Sequence, residues 1–174
     1  ATMTKRSPGS SIKPLSVYAP GFEYGVIPPV SVFDDSPFDE VTMWPKNQNG
    51  YYAGRTNILN AVGRSLNTIA VKVLELVTPE KSFEFATSNL GLTLVSSMEK
   101  NGKVFSDIDY APLGLGGLTD GVTVLEMTAA YCAFVNEGIY TKPYTYSKVV
   151  DSNGQIVLEN QPQSNIAMKR ETAF

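Results

Sequence analysis

Apolar positions along this chain gather into helical stretches separated by turn-rich segments. Leu15, Val17, Tyr18 and Ala19 leave almost no polar face, which predicts a short helix over about 11–19 that is buried all round. Pro14 falls in its first turn, where a missing N–H costs least, and Pro20-Gly21 predicts its end. Residues 22–53 are rich in Pro, Asp, Asn and Gly and read as loop, with short strands at 30–33 and 51–52. Helical spacing resumes after a cap at Thr56 or Asn57, with Ile58, Leu59, Ala61 and Val62. The polar run Ser65-Leu66-Asn67-Thr68 interrupts it, and Ile69, Val71, Val73, Leu74 and Val77 then carry a second helix to Thr78. A third, over about 79–89, opens with Pro79 and Glu80 and stops before Gly91.

Residues 92–122 read as irregular. Thr123-Val124-Leu125-Glu126 is a capping box that opens a helix to about Glu137, with Leu125, Met127, Ala129, Ala130, Cys132, Ala133 and Phe134 inward and Gly138 as its stop. Alternating residues on either side of Asp151-Ser152-Asn153-Gly154 predict a β-hairpin over 144–159, and the tail over 165–174 is polar with helical character. The pattern is that of an α+β chain, mainly helical.

Composition narrows the chemistry by elimination. The 174 residues are 43% hydrophobic and 18% charged, which suits one ordinary globular domain over 1–174. The net charge of -3 supplies no broad basic field, so nucleic acid is not an expected partner. There is no histidine, which removes Ser-His-Asp triads, H-E-x-x-H zinc sites and histidine proton shuttles together. The single cysteine, Cys132, removes thiolate zinc sites and internal disulfides; in its apolar run it reads as a small buried residue. No metal and no cofactor are expected.

Asp34, Asp35, Asp39 and Glu40 lack EF-hand spacing and read as a solvated loop. Trp44 and Tyr51-Tyr52 either pack or line a cleft. The glycines between Pro112 and Val122 match neither a phosphate loop nor a dinucleotide fingerprint, and read as a close-packed backbone turn. No apolar run reaches the roughly 18 residues of a membrane span, and no signal peptide opens the chain. Its first residues read as the interior of something longer.

What survives is a hydroxyl and an amine one turn apart. In Arg6-Ser7-Pro8-Gly9-Ser10-Ser11-Ile12-Lys13-Pro14-Leu15, Pro8-Gly9 is a turn, and Ser10 lies at or just inside a helix N-terminus. Residues three apart share a helix face, so the Ser10 hydroxyl and the Lys13 amine can approach each other. A lysine whose pKa is lowered by burial can take a serine proton. S-x-x-K by itself is weak, because both residue types are common. The polar turn Ser65-Leu66-Asn67, between two apolar helices, can supply a second hydroxyl and an amide.

Together these stretches resemble the transpeptidase domain of class A penicillin-binding proteins. R-S-P-G-S-S-I-K-P-L is similar to that family's R-x-P-G-S-x-x-K-P motif, Ser65-Leu66-Asn67 fills its S-x-N place, and L-G-L-G-G-L-T-D-G-V-T-V-L-E-M-T-A-A-Y-C-A-F-V-N-E-G resembles its glycine-turn-plus-helix segment. The resemblance covers about residues 4–174. It implies that Ser10 is the nucleophile toward D-Ala–D-Ala stem peptides, and that Lys13 is the general base. Ser65 then relays protons, and Asn67 holds Lys13 and the substrate amide. It also implies acylation by β-lactams and a place on the outer face of the bacterial cytoplasmic membrane, with no anchor in this chain.

The family's third motif, K-T-G, is absent. The expectation is therefore the helical portion of the transpeptidase fold with a small hairpin, most of the central antiparallel sheet missing, and partner segments of the same domain completing the site. One oxyanion-hole donor should be among the missing parts, a loss that typically costs about a hundred- to a thousand-fold in rate. Two rival readings stay open: a non-catalytic β-lactam-sensing or inactive piece, and a serine β-lactamase. Against the second, no E-x-x-L-N deacylation motif follows Ser65.

Overall fold

In the computed structural model, which describes residues 2–174, the S-x-x-K segment is a continuous helical rod of three turn types. A 3-10 turn (Gly9–Ile12) leads through Lys13 into a π-helical turn (Pro14–Tyr18) and then α1 (Ala19–Glu23). Pro20-Gly21 does not end it, contrary to the sequence pattern. Pro20 lies in the first turn of α1, where its absent N–H is tolerated. The wider π spacing begins where Ala19 N–H reaches the carbonyl of Pro14. The carbonyl of Ser16, four residues before Pro20, is satisfied instead by the buried hydroxyl of Ser82.

This rod is shared by two hydrophobic clusters. Ile12, Leu15 and Ala19 pack with Phe85, Leu90, Ala130 and Met168. Val17 and Tyr18 pack on the other side with Ile58, Ile69, Val73, Leu74 and Leu113. The all-round apolar pattern of the segment follows from having core on both sides.

Strands β1 (Val32–Asp35) and β2 (Gly54–Asn57) pair antiparallel with Phe33 opposite Thr56. Both start two or three residues beyond the predicted ones, because the polar end of β1 is buried rather than solvated. Helix α2 (Ile58–Gly63) is capped by the Asn57 side chain, which accepts Asn60 N–H at 2.9 Å. Helix α3 (Asn67–Val77) follows, then α4 (Pro79–Glu84) and a π-helical turn (Phe85–Asn89), as the spacing predicts. Residues 92–122 are more ordered than predicted. They hold the hairpin β3 (Met98–Lys100) and β4 (Lys103–Phe105), turned by Asn101-Gly102 with both residues at positive φ, and the short α5 (Tyr110–Leu115) capped by Asp109.

Helix α6 (Val124–Val135) carries the predicted capping box. Its buried face is the narrow alanine stripe Ala129, Ala130 and Ala133. Leu125 and Cys132 are exposed, which corrects their inward placement: an almost uniformly apolar helix offers no contrast from which to read its buried side. Next come β5 (Ile139–Thr141), the predicted hairpin β6 (Lys148–Val150) and β7 (Ile156–Glu159), and β8 (Ser164–Ile166), which pairs back onto β5. Only the last turn of the tail, α7 (Arg170–Ala173), is helical. Among the described residues the strands form four separate two-stranded sheets, which agrees with an α+β portion lacking a central sheet. The domain assignment over 1–174 takes in Ala1, which lies outside the described residues.

Candidate active site

The turn that presents Ser10 is strapped down by backbone. Arg6 and Val122 form a two-way antiparallel bridge, each N–H donating to the other's carbonyl at 3.0 Å. The Ser7 hydroxyl donates to the carbonyl of Gly116, and Tyr131 Oη donates to the carbonyl of Ser11 at 2.7 Å. Gly116 and Gly121 both have positive φ, and a Cβ on either would fall on the backbone of Gly9 or Arg6. The glycine run is therefore the close-packed turn its composition suggests, and its task is to back the S-x-x-K turn. Ser10 itself is exposed, and its hydroxyl makes no hydrogen bond among the described residues.

Lys13 is almost wholly buried, at 1% exposure. Its Nζ donates to Asn67 Oδ1 at 2.6 Å, to the Ser65 carbonyl at 2.8 Å and to Ser65 Oγ at 3.2 Å. All three partners are uncharged. Burial without a counter-ion lowers the Lys13 pKa from 10.5 to about 8. The structure thus gathers Lys13, Ser65 and Asn67 around one nitrogen. Ser10 is tied to Lys13 through the backbone, Lys13 N–H donating to the Ser10 carbonyl, and not through its hydroxyl.

Ser65 reaches Lys13 with both oxygens because its backbone is left-handed, at φ +52°. Its N–H donates to the Val62 carbonyl and that of Leu66 to the Ala61 carbonyl, which closes α2 tightly. Asn67 is the first residue of α3 rather than part of the turn. Beside Ser65 opens a recess of about 230 Å³ lined by Asn47, Gln48, Asn49, Arg64 and Leu66.

Three further residues, Asn47, Asp35 and Thr68, converge here that the sequence did not assign to the site. Asn47 Oδ1 accepts Asn67 N–H at 2.9 Å, and Asn67 Nδ2 donates to the Lys46 carbonyl at 2.8 Å. Asn47 Nδ2 donates to Asp35 Oδ1 at 2.8 Å, and the Thr68 hydroxyl donates to the same carboxylate. Asp35, placed in a solvated acidic loop by its composition, is 1% exposed. Burial alone would raise its pKa. Hydrogen bonds from Thr68, the Ala53 amide and Asn47, with attraction from Arg64, outweigh that and hold it below the ordinary carboxylate value. Its neighbour Asp39 does sit in an exposed turn, where it accepts from Val41 and Thr42. Thr68, in the polar run that interrupts the helical spacing, was the only available signal for this cluster; Asn47 had none. Trp44 packs edge-on against Phe38, with ring centroids 6.3 Å apart, while Tyr51 is exposed.

The sequence model of the penicillin binding protein transpeptidase domain matches residues 1–174. The chain belongs to that family. Among curated relatives, this transpeptidase-domain chain is 33% identical over 187 residues to penicillin-binding protein 1A of Clostridium tetani, covering 100% of the chain and 23% of the relative. It is 37% identical over 151 residues to penicillin-binding protein 4 of Bacillus subtilis, covering 86% of the chain and 22% of that protein. The transpeptidase chain thus spans less than a quarter of the curated relatives it matches. Among solved structures it superposes on penicillin-binding protein 1A of Haemophilus influenzae with a TM-score of 0.70 at 30% identity, over 94% of this chain and 23% of that one. The D,D-transpeptidase domain of a peptidoglycan glycosyltransferase from Eggerthella lenta gives a TM-score of 0.77 at 21% identity, over 99% and 47% of the two chains, a likeness of fold.

Proposed function

We propose that this chain carries the nucleophile and its proton-handling groups in a peptidoglycan cross-linking serine D-Ala–D-Ala transpeptidase. The observation that carries the reading is Lys13: a buried, counter-ion-free amine held by Ser65 and Asn67, one short turn from an exposed serine. In its neutral form Nζ takes the Ser10 proton as Oγ attacks the carbonyl of the penultimate D-Ala. The tetrahedral intermediate collapses as the C–N bond breaks, and the proton passes from Lys13 by way of Ser65 to the departing D-Ala amine. The stem peptide remains as an ester on Ser10. An amine of a second stem peptide then attacks that ester, the new amide forms, and the proton returns to Ser10 Oγ.

A β-lactam acylates the same oxygen, its ring C–N bond breaking while the amine stays tethered. The partners are accordingly stem peptides, β-lactams and further segments of the same domain. The site of action is the outer face of the bacterial cytoplasmic membrane; no helix among the described residues is long and apolar enough to cross one. Family membership supports the reading, and the fold is shared with penicillin-binding protein 3 of Mycobacterium tuberculosis, solved in complex with ampicillin, at a TM-score of 0.79 and 21% identity over 99% of this chain and 40% of that one.

The test is intact-protein and peptide mass spectrometry of the longer protein that carries this chain, after penicillin addition. One adduct on the Ser10 peptide is expected, and none in Ser10→Ala. An adduct that survives Ser10→Ala, or no adduct at all, would overturn the assignment, and many turnovers of nitrocefin per protein would replace it with a β-lactamase.

A further inference from the structure

The chemistry proposed above uses Ser10, Lys13, Ser65 and Asn67, and leaves a buried carboxylate unaccounted for. Asp35 ends β1 at 1% exposure, and no lysine or arginine forms an ion pair with it among the described residues. Burying a carboxylate without a cation is costly unless its oxygens are fully hydrogen-bonded. Here they are. Oδ1 accepts from Asn47 Nδ2 and from the Thr68 hydroxyl, and Oδ2 accepts from Ala53 N–H at 2.7 Å. The flanking chain is fixed as well: from α3, Lys72 Nζ donates to the Asp34 carbonyl and to Ser36 Oγ, each at 2.8 Å.

Two of the three donors on Asp35 lead toward the amide of Asn67. Thr68 is its chain neighbour. Asn47 is only 5% exposed, and two donations by its Nδ2, to Asp35 and to the Tyr51 carbonyl at 3.0 Å, dictate that its Oδ1 faces the other way, onto Asn67 N–H. The adjacent Lys46 carbonyl takes Asn67 Nδ2–H, which leaves Asn67 Oδ1 as the end that faces Lys13. One short loop, Lys46-Asn47, therefore sets both where Asn67 sits and which way its amide points.

We propose that Asp35 and Asn47 are positioning residues for the Lys13 amine, acting through Asn67. Neither makes a hydrogen bond to Lys13 or Ser10 among the described residues. Asp35 orients the Asn47 amide and grips Thr68; Asn47 and the Lys46 carbonyl orient Asn67; and Asn67 supplies the shortest of the three contacts to Nζ. Misplacing a reacting group by about an ångström can cost about a hundred-fold in rate, which is the scale this clamp controls. The proposal rests on the transpeptidase reading for its rate effect and stands apart from it for its effect on Lys13.

The experiment therefore reads both. In the longer protein, Asn47→Leu keeps the size of the side chain and removes its hydrogen bonds, and Val41→Ala alters an exposed residue of the same loop as control. The first readout is the NMR titration of Lys13, followed at its ε-carbon. Losing the Asn67 acceptor destabilises the ammonium, so the midpoint should fall in Asn47→Leu and stay put in Val41→Ala. The other ionisable groups around the loop are Asp35 itself and the exposed Lys46 and Arg64, all retained in both variants.

The second readout is the penicillin acylation rate, expected to drop about a hundred-fold in Asn47→Leu. In an Asn67→Ala background, Asn47→Leu should add little to either effect, since its route to Lys13 is already cut. An unchanged Lys13 midpoint in Asn47→Leu, or full additivity with Asn67→Ala, overturns the proposal. If Asn47→Leu does not fold, Thr68→Val breaks the other grip of Asp35 and is read in the same way. A wild-type protein that penicillin does not label would sink the transpeptidase reading, while the titration still decides this one.

Discussion

Lys13 makes a prediction that can be worked through from its surroundings. Its Nζ is buried among a carbonyl, a hydroxyl and an amide oxygen, with no carboxylate to favour the ammonium. Burial lowers its pKa from 10.5 to about 8, which corresponds to about 3 kcal/mol against the charged form. At pH 7 about one Lys13 in ten is then neutral, against about one in three thousand for a solvated lysine. The acylation rate of the longer protein by a fluorescent penicillin should rise about tenfold per pH unit up to about pH 8 and then level off. A rate that is flat from about pH 6 to about pH 9, or that climbs without a break to about pH 10, would refute the assignment of Lys13 as a base set by burial.

The same shift has a signature in stability. Between about pH 8 and pH 10.5 the unfolded chain holds the Lys13 proton and the folded chain has released it, so this group makes stability rise with pH. Buried Tyr18, whose pKa is raised, acts in the opposite sense as pH climbs past the ordinary tyrosine value. The Lys13 contribution is isolated by subtracting the urea-unfolding profile of Lys13→Met, and the difference should grow toward about 3 kcal/mol across that window.

Other predictions follow from single contacts. Gly116→Ala places a methyl on the Gly9 carbonyl at a left-handed position, so it should lower the thermal midpoint and lose most penicillin labelling, both measurable on one preparation. Ser82→Ala leaves the Ser16 carbonyl without a donor in the core and should cost about 1–3 kcal/mol by urea titration. Cys132, the only thiol, should react with one equivalent of a thiol reagent in the native state; protection until unfolding would contradict its exposure.

The helices were legible where an apolar stripe met a cap. Thr123-x-x-Glu126, Asn57 and the Pro79 start all act as their spacing implies. The rod over 9–23 runs past the stop that Pro20-Gly21 predicts, because that pair ends a helix only when nothing else satisfies the Ser16 carbonyl; Ser82 does, from a distant part of the chain. Ser65 and Asn67, the two residues around Lys13 Nζ, were legible because two short motifs place them and the lysine. The layer behind them was not. Asp35 looks like any loop aspartate until β1 and β2 fold it beneath Asn47 and Thr68, a convergence that no local pattern encodes.

The rod shared by the two hydrophobic clusters bears on how this chain opens. Two clusters ordinarily give two units that can exchange their amide hydrogens independently. Here Ile12, Leu15 and Ala19 belong to one and Val17 and Tyr18 to the other, within a single helical run. Neither side can come apart while the rod stays intact. The amides of 12–19 should then be released only with the whole molecule, whereas β6 and β7, exposed on every residue, exchange early and alone. Ser10, the proposed nucleophile, sits in the first turn of that rod, the last piece to let go.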